Sequence, residues 1–429
     1  MRYGKSKINL ILFLSIRNYV RYQRKYIDVH TFVCYNNNQL KVGDIMIINK
    51  AYKFRLYPNQ KQKELINKTF GSTRLVYNYY LSKKIKEYET DKHSSSCYEC
   101  IKDLKNLYID YPFLKEVDSM SLRCTLFDLD NSYQKLFKEK TGYPKFKSKF
   151  NKNSFRTNMI TSEYKGNTYY NIKLDLRNGT ITLPKLKEIK IRGYRNLDKI
   201  NGRIINATVS RELDETYYVS IVVEEDIIGP KFIPTTIVGL DLGIKDLVIT
   251  SNYQKYQNEK VIEKYEKRIK QKQKRLAKKI KGSHNYNKLK REIARIYKKI
   301  KNARKYLIHH ITNDITDNND IIACETLKVK NMVKNHHLAK AIEDASFSEI
   351  IRQLEYKTKW KGKRLYKIDT YYPSSQICSH CGYKNTLLKN LNIREYTGPN
   401  CQYELDRDYN ASVNIMFEGL KKYMNEVSA

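Results

Sequence analysis

Residues 237 to 250 read IVGLDLGIKDLVIT, two apolar runs around the turn GIKD, with one aspartate, Asp241, set inside the first run. β-Branched and aliphatic residues of this kind favour strands, and the glycine-led turn between them predicts an antiparallel hairpin. A carboxylate inside such a run is costly unless something pairs with it or coordinates it. Apolar residues flank Asp241 on both sides, and Gly239 and Gly243 leave its surroundings open. These features mark Asp241 as a candidate ligand position.

Downstream of the hairpin lies the most basic stretch of the chain. Ile262, Tyr265, Ile269, Leu276 and Ile280 form one apolar stripe; after KGSHNYN, Leu289, Ile293, Ile296 and Ile300 form another. Spacings of three, four and seven predict a helical hairpin over 255–307, with a narrow apolar seam and Lys/Arg elsewhere. NNDIIACETL (318–327) predicts a short strand ending at Glu325, and a last helix over about 409–424 is opened by Asp408. Taken singly, Asp406 or Asp408 reads as a helix N-cap and Glu325 as a polar strand terminus. Together with Asp241 they form a set of hard oxygen donors of the kind that holds Mg2+ or Mn2+. Two such ions, roughly 3.5–4 Å apart, clamp the attacking and leaving oxygens of a phosphodiester.

Upstream, MIINKAYKFRLYP (46–58) alternates as a strand and is closed by Pro58. Residues 59–89 then turn helical, with Leu65, Phe70, Leu75 and Tyr79 near one face, and a second helical stretch covers 116–139. Ser94 to Cys97 mark a loop between them. The CYEC motif (Cys97, Cys100) has knuckle spacing but no second pair nearby, and reads as incidental. After TGYPKFKSKF (141–150) come short β-type runs, among them GTITLP, KEIKIRGY, INATVSREL and TYYVSIVVEE. Their spacing predicts a small barrel or sandwich. Because one strand precedes the helices, the helical block reads as an insert in a β-domain.

The totals agree with a folded, multidomain chain that meets a polyanion. The 429 residues carry a formal charge of +37, with 41% hydrophobic residues spread through periodic segments. Such a charge disfavours self-association and makes nucleic acid the leading partner. The eight cysteines, at 34, 97, 100, 124, 324, 378, 381 and 401, are not a secreted disulfide framework. Three of them, Cys378, Cys381 and Cys401, crowd near the C-terminus with metal-ligand character. INLILFLSI (8–16) is about half the roughly 20 residues a membrane span requires, and no small-residue cleavage site follows it. The expectation is a cytoplasmic protein of a bacterial-type host, without a membrane partner. Met46 opens the better-patterned part, so residues 1–45 read as an extension.

The stretches YKFRLYPNQKQ, GYPKFKSK, GLDLGIKD, ACETLKVKNM, CSHCG and DRDYNASVNI, in this order, resemble those of the TnpB (OrfB) proteins. These are transposon-encoded RNA-guided DNA nucleases related to type V CRISPR effectors. The resemblance covers residues 46 to about 424. It implies a multidomain α+β fold in which a β-barrel wedge domain (46–58 and 141–230) carries a helical recognition insert (59–140). An RNase H-like, RuvC-type α/β nuclease domain (231–429) follows, with the basic helical hairpin and a zinc-ribbon insert (374–404). The implied catalytic and Mg2+-binding residues are Asp241, Glu325 and Asp408. The implied partners are a guide RNA from the transposon end and double-stranded target DNA with a short adjacent motif. Candidate nucleic-acid contacts in or near the matching stretches are Lys53, Arg55, Lys145, Lys147, Lys149, Arg156 and Lys328.

One departure stands out. The family's ribbon has two Cys-x-x-Cys knuckles; the first is present at Cys378 and Cys381, while the second reads TGPNC, with Gly398 in place of its first cysteine. Tyr396 and Gln402 replace the usual Trp and Gly. A structural Zn2+ site normally closes with four protein ligands, so zinc is expected to bind weakly, keep a water or be absent. His380, inside the first knuckle, is poorly placed to turn inward. Two other functions compete with guided cleavage. One is guide-directed DNA binding without cleavage, against which the carboxylate triad argues. The other is a transposase or its accessory; the paired His309 and His310 that such chemistry would recruit fall on a helix and read as structural.

Overall fold

The computed structural model describes residues 45–428, other than 151–152, 194–199, 201, 229–233 and 391–392. The expected N-terminal extension, Cys34 included, lies outside the described residues. Two compact units divide the chain, Met46–Ile227 and Ile228–Ala429.

The first unit begins with β1 (Ile45–Tyr57), in which Phe54 and Leu56 are buried while Lys53, Arg55 and Tyr57 face out. That period of two puts one side of the strand in the core. Pro58 ends it, and Asn59 then caps α1 (Gln60–Asp91) in a reciprocal capping box with Gln62. A second such box, Ser96 with Glu99, starts α2 (Cys97–Asp110), so Cys97 belongs to a helix and not to the expected loop. Cys97 and Cys100 sit one turn apart, and burial pushes both thiols up, Cys100 to about 11, which suits core residues rather than ligands. Asp118 caps α3 (Ser119–Glu139), and Val76, Tyr80, Leu104, Leu107, Leu122 and Leu126 form the core of this helical block.

Eight strands follow: β2 (Asn153–Asn158), β3 (Thr161–Tyr164), β4 (Asn167–Tyr170), β5 (Lys173–Asp175), β6 (Thr180–Leu183), β7 (Lys187–Arg192), β8 (Arg203–Arg211) and β9 (Tyr217–Ile228). Seven of the unit's strands form one sheet in the order β2-β8-β9-β1-β7-β6-β5. β1 therefore lies inside a sheet whose other strands follow the helices, and the helical block is an insert. Among the described residues the predicted strands form one continuous sheet with β2 and β5 at its ends.

In the second unit a five-stranded sheet runs β12-β11-β10-β13-β14. Its members are β10 (Ile237–Asp241), β11 (Asp246–Thr250), β12 (Lys255–Gln257), β13 (Ile321–Cys324) and β14 (Arg364–Lys367). β10 pairs antiparallel with β11, as the opening hairpin predicts, and parallel with β13, which pairs parallel with β14. Between β12 and β13 stand α4 (Val261–Ala277) and α5 (His284–Asn318), whose seam buries Ile269, Ile296 and Ile300. Two expectations fail here. Ile280 lies past the end of α4 and is 82% exposed, because the chain turns at Lys278–Gly282 before the stripe is complete. The helix also does not stop at 307. α5 continues to Asn318, since Ile308, Ile311 and Ile315 carry its apolar face into the core of the sheet.

α6 (Val329–Met332), α7 (His336–Ala345) and α8 (Phe347–Trp360) precede β14; the small hairpin β15 (Glu395–Thr397) and β16 (Glu404–Asp406) precedes α9 (Arg407–Ser428). α9 lies directly on β10. A Cβ at Gly239 would stand 1.9 Å from the Ser412 carbonyl oxygen and 2.5 Å from the Met416 nitrogen. Only glycine allows the two backbones to approach this closely.

Candidate active site

β10 and β13 run parallel in a register that pairs Leu240 with Cys324. One residue further on each strand come Asp241 and Glu325, so both carboxylates leave the sheet at its carboxyl-terminal edge, where α/β sheets place their ligands. The close packing of α9 on β10 brings the third, Asp408, in the first turn of that helix. Protein surrounds the Asp241 carboxylate on nearly every side, although the residue as a whole is only partly buried. Burial first, then the charges of Glu325 and Asp408, push its carboxyl well above the usual range. Burial likewise raises Glu325, against the Ser374 hydroxyl, which donates to its Oε1 at 3.0 Å. Three acids from three elements supply the hard oxygen donors that a divalent cation takes. Their ligand atoms are not gathered within 4.8 Å as the thiols of Cys378, Cys381 and Cys401 are, Asp408 being turned to Arg394.

Asp406 and Asp408 divide the roles that the sequence left open. Asp406 Oδ1 accepts the backbone N–H groups of Asp408 (3.0 Å) and Tyr409 (2.9 Å), while its Oδ2 meets Lys255 Nζ at 2.9 Å. Asp406 is thus the cap, and the Asp408 carboxylate is free to point elsewhere. It meets the Arg394 guanidinium at 2.7 Å. Sequence reasoning missed Arg394, since a lone arginine before a short strand carries no local signal. It also missed Asn410 and Asn414, two fully or nearly buried asparagines one turn apart on α9. Asn410 accepts the Ser379 N–H (2.8 Å) and donates to the Ile377 carbonyl (2.7 Å); Asn414 donates to Ser374 (2.8 Å) and Ile377 (2.6 Å). These bonds fasten the first cysteine knuckle and the Ser374 loop to the helix that bears Asp408. Polar residues at positions i and i+4 on a core-facing helix were the signal available.

The thiols of Cys378, Cys381 and Cys401 all lie within 4.8 Å of one another. Cys378 Sγ and Cys401 Sγ are 3.7 Å apart. The backbone keeps knuckle turns at both ends of the cluster, with Gly382 N–H donating to Cys378 O (2.8 Å) and Gln402 N–H to Gly398 O (2.8 Å). Gln402 holds a φ of +56°, in the region that favours glycine. Gly398 abuts the cluster: a Cβ there would be 2.8 Å from Cys401 Sγ and 3.7 Å from Cys378 Sγ. His380 is exposed and stacks on Tyr403 with centroids 4.8 Å apart, away from the thiols, as its place in the knuckle suggests. Three soft donors in one pocket suit zinc, with one tetrahedral corner left to a group other than cysteine or histidine.

The candidate nucleic-acid contacts are dispersed. In the first unit Lys53 and Arg55 stand on the outer face of β1, Lys53 near Glu212 (3.3 Å) and over the Tyr218 ring (3.9 Å), Arg55 over Tyr57 (4.9 Å). Lys145, Lys147 and Lys149 lie on an exposed segment that Asn78 grips by reciprocal hydrogen bonds to the Lys147 backbone (2.7 and 2.9 Å). Although Lys147 is exposed as a residue, its ammonium is enclosed against Tyr77 (3.9 Å). Lys147 and Lys149 join Arg74, Asn78, Tyr79 and Tyr111 around an open depression of about 550 Å³. Arg156 instead turns to Asp128 at 2.8 Å. Lys328, in the second unit, is exposed three residues beyond Glu325 and reaches the Tyr371 hydroxyl at 3.2 Å.

Comparison with known proteins gives three family matches. The family model OrfB of IS605, described as "Probable transposase", covers residues 220–336; a Cas12f1-like TNB domain covers 347–415. A "Helix-turn-helix domain" covers 46–93, which here is a strand and one long helix. A relative from Streptomyces pristinaespiralis, named "Putative RNA-guided DNA endonuclease", is 33% identical over 377 residues, 87% of this chain and 90% of its own. Another of that name, InsQ of Escherichia coli K12, is 28% identical over 393 residues, 86% of this chain and 92% of its own. Among solved structures, Cas12f1 in its complex with single-guide RNA and target DNA shares the fold. The TM-score is 0.54 at 14% identity, over 86% of this chain and 99% of that one.

Proposed function

We propose, from the premise that this chain belongs to the OrfB (TnpB) family, that it is a transposon-encoded RNA-guided DNA endonuclease that hydrolyses phosphodiesters at Asp241, Glu325 and Asp408. The observation that carries the assignment of residues is the convergence of three carboxylates from three elements, two at the ends of parallel strands and one at a helix start. The strand order and the two parallel strands beside a hairpin support a RuvC-type, RNase H-like reading of the second unit. In that reading the first unit is the wedge and recognition part, and a guide RNA and target DNA are the partners.

Asp241, Glu325 and Asp408 would hold Mg2+ or Mn2+, which when bound polarises the scissile phosphate and lowers the pKa of an attacking water. The chain's own contribution is placement. Ser374 orients Glu325, Asp406 holds the first turn of α9, and Arg394 keeps Asp408 from swinging into solvent. Arg394, more than half exposed, also brings a positive charge next to Asp408, suited to a phosphate oxygen.

The test is a cleavage assay with matched guide RNA occupancy. Asp241→Ala, Glu325→Ala and Asp408→Ala should each lower cleavage by about a thousandfold or more while RNA binding stays near that of the parent. Asp406→Ala should lose less, because it caps a helix and ligates nothing. An active Asp408→Ala beside a dead Asp406→Ala would reverse the assignment of the third ligand.

A further inference from the structure

The thiol cluster has a candidate for its missing corner. Two residues before Gly398, on the same side of the strand, stands Tyr396. Its neighbours Glu395 and Thr397 are exposed, whereas Tyr396 turns inward and Gly398 is buried. The Tyr396 hydroxyl is buried and makes no hydrogen bond of normal geometry. Burial first, and then the Cys378, Cys401 and Cys381 thiols around it, hold its phenol above the ordinary value, a bias that a bound cation would reverse. A buried hydroxyl whose one polar neighbour is a thiol, a weak hydrogen-bond partner, is a costly arrangement. The alternatives nearby are poorly placed: His380 stacks outward on Tyr403, and no histidine or carboxylate joins the three thiols within 4.8 Å among the described residues.

We propose that the phenol oxygen of Tyr396 is the fourth donor of a Cys3Tyr metal site, made of Cys378, Cys381, Cys401 and Tyr396, that takes Zn2+. The change of residue at 396 and the change at 398 belong together. The pattern this chain resembles has Trp and Cys at these positions; here Tyr and Gly replace them. Tryptophan carries only an N–H and cannot ligate, whereas tyrosine brings an oxygen. Glycine at 398 removes the competing thiol and clears the space next to Cys401 Sγ that a Cβ would occupy at 2.8 Å. Binding is ligand exchange without oxidation or reduction: water leaves the metal, and the thiol and phenol protons pass to solvent as the four metal–ligand bonds form. An oxygen in place of a thiolate makes a harder, weaker site for zinc, so affinity should lie below that of a four-cysteine ribbon.

Metal binding by the full chain tests this without recourse to cleavage, so its outcome is separate from the nuclease assignment. Metal-free protein is titrated with Co2+, whose thiolate charge-transfer absorption reports the cysteine site and not the carboxylates. Zn2+ is then added against a chromophoric chelator. Tyr396→Phe, which keeps the ring and removes only the oxygen, should weaken both metals by about tenfold or more and change the Co2+ visible bands. Gly398→Cys, with the Cys401 side chain rotating away from the new Cβ, should tighten binding, and in that background Tyr396→Phe should have no effect, because the thiol then fills the corner. Equal losses in both backgrounds would mean that Tyr396 supports folding or packing only. Unchanged affinity and spectrum in Tyr396→Phe would leave water as the fourth ligand; no Co2+ thiolate band in the parent would abolish the site. Each of these three results overturns the proposal.

Discussion

Asp241 is an acid that the second unit holds largely out of water. Its carboxyl is held well above the usual range by burial and by Glu325 and Asp408, whereas unfolding returns it to an ordinary aspartate. Between the ordinary value and the raised one, the native state therefore binds more protons than the unfolded state. Stability falls as pH rises through that window, and above it the full cost of the ionised group remains. Asp241→Asn removes that cost. In EDTA at pH 8 the variant should melt a few degrees above the parent, with the difference shrinking as pH falls toward the carboxylate range. Calorimetry with and without Mg2+ reads both sides: the parent should gain stability from the ion, and the asparagine variant should gain far less. A lower melting temperature for Asp241→Asn in EDTA would show that hydrogen bonds to the carboxylate outweigh its repulsions. The sequence pointed to Asp241 because an acid in an apolar strand is conspicuous, and it missed Arg394 because an arginine near a turn is not.

Elements set the distances between these side chains. The proposed site depends on α9 lying close against β10, which carries Asp408 toward the strand that bears Asp241, and Gly239 is the contact that permits it. Gly239→Ala must push a methyl into the Ser412 carbonyl and the Met416 nitrogen, backbone atoms that cannot rotate aside. The expected cost is about 3 kcal/mol or more, visible as a lower denaturation midpoint with an unchanged slope. Cleavage should fall further than the folded fraction does, since a displaced helix carries one carboxylate away from the other two. Activity falling only in proportion to folded protein would mean that α9 can shift without moving Asp408. At this scale the hairpin β10–β11 was legible in its two apolar runs, as were the buried positions Ile269, Ile293, Ile296 and Ile300 of the helical pair. The reach of α5 to Asn318 was not, because a change from a narrow seam to a core-facing stripe leaves the helical period intact. Strands of three or four residues such as β12, β14 and β15 are too short for any period to register.

For the molecule as a whole, a formal charge of +37 makes the salt dependence of RNA binding the informative measurement. On α4, Lys267, Arg268, Lys274 and Arg275 are exposed, and none of them is in an ion pair among those described. If that face meets single-stranded RNA, each neutralised residue should flatten the slope of log K against log[salt] by about 0.7. An unchanged slope in the fourfold variant would assign the face to solvent. The sequence by itself determined the hairpin, the order of strand and helix blocks, the helical insert and the basic character. Each of these rests on local composition or on periods of two and 3.6, which the chain carries wherever it folds. Tertiary structure alone decided the order in which seven strands join one sheet and that Asp406 caps so that Asp408 is released to Arg394. It alone turned Tyr396 toward three thiols. Those outcomes depend on contacts between residues far apart in the chain, where packing and close backbone approach, rather than pattern, choose among arrangements that the sequence permits equally.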